Sequence, residues 1–185
     1  MRLIVPAVVI ALVGIVPPAF AQGEEGAVPI EKAPYHLPVF SNEYVTVLKI
    51  EIPPQRDTGY HTHTRDSVSV NIEPADNVNQ DLGSPQVTPS TRAAAPAYAS
   101  IMDNERVRGW RLVLEPGQSA AAVTPQSPGL RVVVSGGEIV ESIPGQPDRA
   151  MFLRPGEFYW QDPKVTRAVR NRGTTRVELV EFELK

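Results

Sequence analysis

This sequence contains an internal repeat, which limits the folds that are open to it. Asn42-Glu43-Tyr44-Val45 opens a β-branched run, and Asn104-Glu105-Arg106-Val107 opens a similar run 62 residues later (42 to 104). Carried forward without a gap, this offset sets His61-Thr62-His63 against Val123-Thr124-Pro125. The repeat predicts a duplicated structural unit in which the first copy offers two imidazoles and the second copy offers none.

Short apolar runs separated by Gly and Pro turns predict an all-β fold. Val68, Val70 and Ile72 alternate with polar residues, a period that gives a strand one apolar face. From residue 101 onwards, strand-length runs end at turn sequences: Pro116-Gly117, Gly136-Gly137, Pro144-Gly145, Pro155-Gly156 and Arg172-Gly173. This spacing is typical of an antiparallel barrel or sandwich. The adjacent Leu179 and Val180 in the last run predict a bulge or a strand buried on both faces.

Residues 74–100 show neither a strand period nor a helix period. Four prolines interrupt this stretch, and Ala93-Ala94-Ala95 lies within it. It is therefore predicted to be a Pro- and Ala-rich connection between the two units.

Residues 1–21 have the pattern of a secretory signal peptide. Arg2 precedes an apolar run from Leu3 to Val16, and Ala19-Phe20-Ala21 is a cleavage site of small residues. The run is shorter than the roughly 20 residues that a membrane-spanning helix needs, which argues against an anchor. We therefore expect cleavage after Ala21 and a periplasmic or secreted protein.

Charge and cysteine content exclude several classes of function. The formal net charge is −3, and the sequence has no basic stripe. Neither nucleic acid nor an anionic membrane surface is therefore an expected partner of the processed chain. The chain has no Cys, so disulfides cannot stabilise it and no thiol nucleophile is available.

Two segments resemble the two motifs of the cupins, which are small antiparallel β-barrels. Residues 59–66, Gly-Tyr-His-Thr-His-Thr-Arg-Asp, are similar to the first motif, in which Gly and His-x-His precede an acidic residue. Pro155-Gly156 followed by Arg167-Ala168-Val169-Arg170-Asn171 is similar to the second motif, Pro-x-Gly followed by His and, four residues later, Asn. The resemblance implies a cupin-like antiparallel β-barrel (jelly roll) over residues 101–185, preceded by a partial cupin-like unit over residues 38–73.

Both units depart from the family pattern at the positions where cupins hold a metal ion. In the first unit, Asp66 lies one position too early, and no second motif follows before residue 101. In the second unit, Val123 and Pro125 occupy the His-x-His positions, and Arg167 replaces the last histidine. The resemblance therefore implies a degenerate metal site.

His61 and His63 are the candidate metal ligands. Two residues apart on a strand, they point to one face, and imidazoles suit divalent ions such as Zn, Fe, Mn or Ni. A stable site needs a third ligand, for which Asp66, Glu73 and His36 are candidates without compelling spacing. Alternatively, the two histidines are partly exposed residues of a remnant strand, and Asp66 accepts backbone hydrogen bonds in a turn.

The candidate ligand contacts of the second unit are Arg167, Gln126, Tyr159 and Trp160. A guanidinium pointing into an apolar barrel must meet a carboxylate or an anionic ligand, and the internal candidates are Glu138, Glu157 and Glu178. Tyr159 and Trp160 are either core residues or a flat wall for a ring or sugar. Gln126 either bonds a ligand or only forms a turn. Arg131, by alternation, is expected on the solvent side of its strand.

These observations predict an exported, non-catalytic module that binds a small molecule or acts as a scaffold. The alternative is a metal-dependent cupin enzyme of the oxygenase or isomerase type that uses His61 and His63. A third hypothesis is structural: the resemblance implies homodimers, and the partial unit packs its exposed strand edge either on the second barrel or on a partner.

Overall fold

A computed structural model of the chain describes residues 6–12, 26–72, 78–81 and 97–185. Within these ranges lie fifteen strands and one single-turn 3-10 helix, Ile30–Lys32, so the all-β prediction is confirmed. None of the described segments is a helix long and apolar enough to span a membrane. The chain divides into two compact units, Met1–Leu82 and Gly83–Lys185.

The N-terminal unit contains a five-stranded sheet and a two-stranded sheet. Its strands are β1 (Pro6–Leu12), β2 (Val28–Pro29), β3 (His36–Ser41), β4 (Val45–Glu51), β5 (His61–Thr62), β6 (Ser67–Asn71) and β7 (Val78–Asp81). The larger sheet has the order β3-β4-β1-β6-β7, and β2 pairs with β5 in parallel. Ile30, Leu48 and Ile50 form a buried apolar cluster in this unit.

The C-terminal unit consists of two antiparallel sheets. Its strands are β8 (Tyr98–Asp103), β9 (Val107–Leu114), β10 (Gly129–Ser135), β11 (Gly137–Ser142), β12 (Arg149–Leu153), β13 (Phe158–Gln161), β14 (Ala168–Asn171) and β15 (Val177–Leu184). One sheet has the order β13-β10-β15-β9-β8 and the other has the order β12-β11-β14.

Both sheets of the C-terminal unit contribute to one apolar core. Its buried members include Leu112 and Leu179 from the larger sheet and Ile139 and Val169 from the smaller one. The sheets therefore pack face to face in a jelly roll. All eight residues of β15 are buried, so double-sided burial is the alternative that this strand shows. The register shift of the β10–β15 pair falls in β10, between Val133 and Ser135, and not at Leu179 and Val180.

The sequence repeat is also a structural repeat. Strands β3 and β8 have the same bounds when shifted by 62 residues (36–41 and 98–103), and so do the starts of β4 and β9 (45 and 107) and of β6 and β10 (67 and 129). Asn42 Oδ1 accepts the backbone N–H groups of the second and third residues after it, both at 2.9 Å. Asn104 Oδ1 accepts the corresponding two at 2.9 and 3.0 Å. The Asn-Glu pairs mark the same hairpin turn twice.

Strand β1 lies within residues 1–21, the segment that the sequence predicts to be a cleaved signal peptide. Its backbone pairs antiparallel with β4, from Pro6↔Glu51 to Leu12↔Val45, and with β6 on its other side. A run without charges suits a central strand, and in the intact chain the predicted signal segment takes that place. Cleavage after Ala21 stays a prediction.

The predicted connection also contains a strand. β7 lies within residues 74–100, and its sequence Val-Asn-Gln-Asp has no apolar alternation from which a strand could be predicted. It is an edge strand that is held by its pairing with β6. The N-terminal unit also begins before residue 38, because β2 and β3 start at Val28 and His36.

Candidate functional site

The two positions where a cupin motif would place histidines meet in the C-terminal unit. Val123 N–H donates to the Arg167 carbonyl at 2.9 Å, and Arg167 N–H donates to the Val123 carbonyl at 3.0 Å. The backbone therefore brings together the first and the last ligand positions of the motifs. One position carries methyl groups and the other carries a cation, and neither is a metal ligand.

The Arg167 guanidinium bonds backbone carbonyls. Its Nη1 donates to the carbonyl oxygens of Asp162 and Val165, both at 3.3 Å. The side chain is half-buried, and among the described residues no carboxylate forms an ion pair with it. The expected internal partners are engaged elsewhere: Glu178 with Arg111 and Arg176, Glu157 with Arg154, and Glu138 with Arg172.

The structure does not bring the other three candidate ligand residues into one wall. On β13, Tyr159 pairs with Arg131 and packs against the apolar core, whereas Trp160 pairs with Leu130 on the opposite face of the strand. Successive strand residues alternate between faces, so the two rings cannot form one flat surface. Gln126 is exposed, and its Nε2 donates to the Thr124 carbonyl at 3.2 Å within its own loop.

Tyr159 is tied to Glu157 by a side-chain hydrogen bond. The Tyr159 hydroxyl donates to Glu157 Oε2 at 2.9 Å. Burial raises the pKa of Tyr159, and the Glu157 carboxylate adds to the rise. Conversely, the backbone N–H of Arg154 lowers the pKa of Glu157, with further lowering from the Tyr159 hydroxyl and the Arg154 side chain. The pair thus fixes the orientation of Tyr159 at the edge of the core.

A buried ion network inside the C-terminal unit was missed by the sequence reasoning. Arg131 is 3% exposed, and it donates from Nε to Glu181 at 2.8 Å and from Nη1 to Glu141 at 2.9 Å. Burial alone would lower the pKa of Arg131, but the two carboxylates outweigh it and raise the pKa. The expectation of a solvated Arg131 is wrong because it shares its strand face with Val133, a member of the apolar core.

A surface cleft of about 450 Å³ lies on the C-terminal unit. Its lining includes Arg111, Gln118 and Ser119. Arg111 Nε contacts Glu178 Oε1 at 2.5 Å, so its charge is balanced within the chain.

Three imidazoles lie side by side in the N-terminal unit. The ring centroids of His36 and His61 are 5.0 Å apart, and those of His61 and His63 are 5.1 Å apart. His36 comes from β3 and is buried, His61 belongs to β5 and is half-buried, and His63 is exposed. Burial lowers the pKa of His36, and the two neighbouring imidazoles lower it further. Of the three proposed third ligands, the structure therefore brings His36 to the pair.

The Nδ1 atoms of this histidine cluster all face oxygen atoms. Those of His36 and His61 donate to the carbonyls of Pro34 at 2.9 Å and Gly59 at 3.1 Å, and that of His63 lies 3.4 Å from Ser67 Oγ. Such bonds leave Nε2 as the metal-binding atom of a neutral imidazole. In their present rotamers, however, the described residues form no group of three His, Cys, Asp or Glu side chains arranged to hold a metal ion.

The other two candidate third ligands do not join this cluster. Asp66 is half-buried in the bend before β6. Glu73 lies outside the described residues. The acidic ligand that the first cupin motif requires is therefore not supplied by the described part of the N-terminal unit.

Known structures similar to this chain include several cupins. Among them is a cupin domain from Bordetella pertussis Tohama I (24% identity, 48% of this chain and 91% of that chain, TM-score 0.45). An RmlC-like cupin with a double-stranded β-helix fold from Methanocaldococcus jannaschii gives 14% identity, 55% and 93% coverage and a TM-score of 0.41. The DMSP lyase DddQ from Ruegeria pomeroyi DSS-3 gives 12% identity, 52% and 55% coverage and a TM-score of 0.41.

Sequence comparisons add no closer relative. No family model matches the chain, and no curated protein matches it. These likenesses cover about half of this chain at low identity, and the cupin resemblance drawn from the motifs stays a prediction.

Proposed function

We propose that this chain is an exported, non-catalytic binding module of cupin fold. The observation that carries the proposal is the pairing of Val123 with Arg167, since the two motif positions meet without a metal ligand between them. A metal ion bound in the manner of the family does not fit this part of the C-terminal unit, because an arginine stays protonated and repels a cation.

The interior of the C-terminal unit supports a scaffold rather than a reaction chamber. Arg131 already engages two carboxylates, and apolar side chains from both sheets occupy the space between the sheets. Charged groups that are paired in this way hold the sheets in register. Arg131, Glu141 and Glu181 all have an ion-pair partner, so none of the three is available to act as an acid or a base.

We place the ligand beside Arg167, where residues 123–126 and 164–167 form what we call the rim. The chain around residues 123–126 runs beside residues 164–167, because Lys164 N–H donates to the Pro125 carbonyl at 2.7 Å next to the Val123–Arg167 pair. Arg167 therefore brings a charge without a described carboxylate partner to a rim where Gln126 and Lys164 are also exposed. A small carboxylate is the chemical class that suits such a guanidinium.

Titration with succinate tests this proposal. We expect weak, saturable binding by calorimetry, with a loss of at least about tenfold in affinity in Arg167→Gln. Arg170→Gln is the matched control, because Arg170 is an exposed arginine on β14, which starts at the residue after Arg167, and its affinity should stay within about twofold of the wild type. Equal losses in both variants, or no binding to the wild type, would reject a site at Arg167.

Metal binding by the histidine cluster is a second candidate function. Two imidazoles on one tetrahedral ion have ring centres about 5 Å apart, given Zn–N bonds of about 2.0–2.1 Å. The ring-centroid distances of 5.0 and 5.1 Å in the histidine cluster agree with that spacing, although the rings must rotate for three Nε2 atoms to converge. The chemistry of three imidazoles favours Zn or Ni over Mg or Ca. The exposure of His63 favours an exchangeable site over the enclosed centre of an enzyme.

Zinc titration distinguishes the two candidates. If the histidine cluster binds metal, then Zn²⁺ binds stoichiometrically, and His36→Asn, His61→Asn and His63→Asn each weaken it by at least about tenfold. Asp66→Asn is the control and should bind like the wild type. Retention of zinc by His36→Asn would reduce the site to the His61–His63 pair. A metal-dependent turnover lost in the same three variants would favour the enzyme alternative over the binding module.

A further inference from the structure

The larger sheets of the two units have the same strand arrangement, but the strand between the second and the fourth comes from a different part of the sequence in each unit. In the C-terminal unit the order is β8-β9-β15-β10, and in the N-terminal unit it is β3-β4-β1-β6. The shared strands are related by the 62-residue offset. β1 therefore occupies the place that β15 occupies in the second unit, although it precedes its partners in the chain and β15 follows its own.

The register of β1 is the register of β15. Leu12 pairs with Val45 as Leu184 pairs with the equivalent residue, Val107. On the other side, Ala7 pairs with residue 71 and Ala11 with residue 67, whereas Leu179 pairs with residue 133 and Glu183 with residue 129. Every one of these partners differs by 62 residues. The N-terminal unit thus presents a strand slot between β4 and β6, and this slot has the geometry of the β15 site.

We infer that this slot is closed by a donated strand, which is Pro6–Leu12 in the intact chain and an uncharged apolar strand from another polypeptide after cleavage at Ala21. The inference rests on the export that the proposed function includes. Without a donor, the facing edges of β4 and β6 would expose backbone N–H and C=O groups that β1 now pairs. A strand added in this way recognises the slot through its main chain.

Direct closure of the two edges is the weaker solution. Both β4 and β6 are antiparallel to β1, so they are parallel to each other. Joining them would replace two antiparallel ladders with one parallel ladder, which is less stable per residue. An inserted antiparallel strand retains both ladders.

Charges at the slot select an uncharged occupant. In β15, Glu181 is paired with Arg131 and Glu178 with Arg111. The residues 62 positions earlier are Ser69 and Lys49, and Lys49 forms an ion pair with Glu51 at 2.7 Å. A swapped β15 from a second copy would leave Glu181 beside Ser69 without a cation, a costly arrangement for a buried carboxylate. The sequence Pro-Ala-Val-Val-Ile-Ala-Leu of β1 brings no charge.

A variant of the intact chain tests the slot without truncation. Val9 pairs with Leu48 on one side and with Ser69 on the other, so Val9→Pro removes a central N–H group from β1. We expect faster proteolysis of the N-terminal unit, whereas Val16→Pro, outside β1, should be cleaved at the wild-type rate. Equal rates for all three chains would overturn the inference.

A peptide tests donation in trans. The chain that starts at Gln22 is mixed with a labelled peptide of residues 5–13, and with the same peptide carrying Val9→Pro as a control. Binding that the proline weakens by at least about tenfold supports the slot. Equal binding of both peptides, or none because the processed chain closes its own slot or pairs with a second copy, contradicts it. Sequencing the N-terminus of exported protein separates failure of the slot from failure of the export proposal.

Discussion

The two units share a strand plan and differ in what lies at its centre. The C-terminal unit continues its repeat with β12–β15 and places Arg131, Glu141 and Glu181 inside. The N-terminal unit ends its described strands at β7, and its central strand is β1, Pro6–Leu12. The same hairpin and the same register therefore occur with a central strand that precedes its partners in one unit and follows them in the other.

The difference also separates two kinds of chemistry. The second unit carries Val123 and Arg167 at the positions of the motif histidines, and its buried Arg131 is paired with two carboxylates. The first unit retains two motif histidines and gains His36 beside them. The metal site that we propose as a second candidate therefore lies in the N-terminal unit.

The largest expected effect comes from removing the buried cation of the second unit. Arg131→Met leaves Glu141 and Glu181 buried without their partner, and we expect a loss of about 3–5 kcal/mol in the free energy of unfolding. The control is Ser69→Ala at the equivalent position of the first unit, for which we expect less than about 0.5 kcal/mol. Denaturant unfolding measures both, and a similar small loss in both variants would show that the network does not stabilise the fold.

The two hairpin turns offer a matched pair of smaller effects. Asn104 is buried, and Asn42 is half-buried, although both accept the same two N–H groups. Removing an acceptor costs more where the abandoned donors stay away from water. We expect about 1–3 kcal/mol for Asn104→Ala and about 1 kcal/mol for Asn42→Ala, measured by urea unfolding. The reverse order would mean that the turns are not equivalent.

The smallest expected effect is on acid stability and concerns Glu157. This residue directly precedes β13 of the second unit. Its pKa is lower in the folded protein than the usual 4.5. The resulting stabilisation is therefore present above that value and is lost as the pH falls through the lower, folded pKa. Glu157→Gln should reduce the difference in Tm between pH 7 and pH 3, by on the order of 1–2 °C because the side chain is one-third exposed. An unchanged difference would remove Glu157 from the acid response.

The parts of the fold that could be predicted are those whose sequence is periodic in hydrophobicity or repeats along the chain. The 62-residue offset and the Gly and Pro turns were enough to predict the all-β fold and the paired hairpins. The position of Arg131 was not predictable in this way, because residues 129–134 are buried on both strand faces. In such a strand, apolar neighbours do not tell which face points inward.

The candidate site was harder to predict than the fold. His36 lies beside His61 because β3 and β5 come close together in the folded unit. The spacing of residues around His61 in the sequence does not indicate this contact. The opposite faces of Tyr159 and Trp160, by contrast, follow from strand alternation alone. Because adjacent residues of a strand point to opposite sides, their neighbouring positions in the sequence are enough to exclude a shared flat wall.

Hydrogen exchange of the chain with and without residues 1–21 tests whether β1 fills the slot between β4 and β6. We expect amides of β4 and β6 to lose protection when residues 1–21 are absent, while amides of β9, β10 and β15 exchange at the same rate in both chains. Undiminished protection of β4 and β6 in the shorter chain would contradict this expectation.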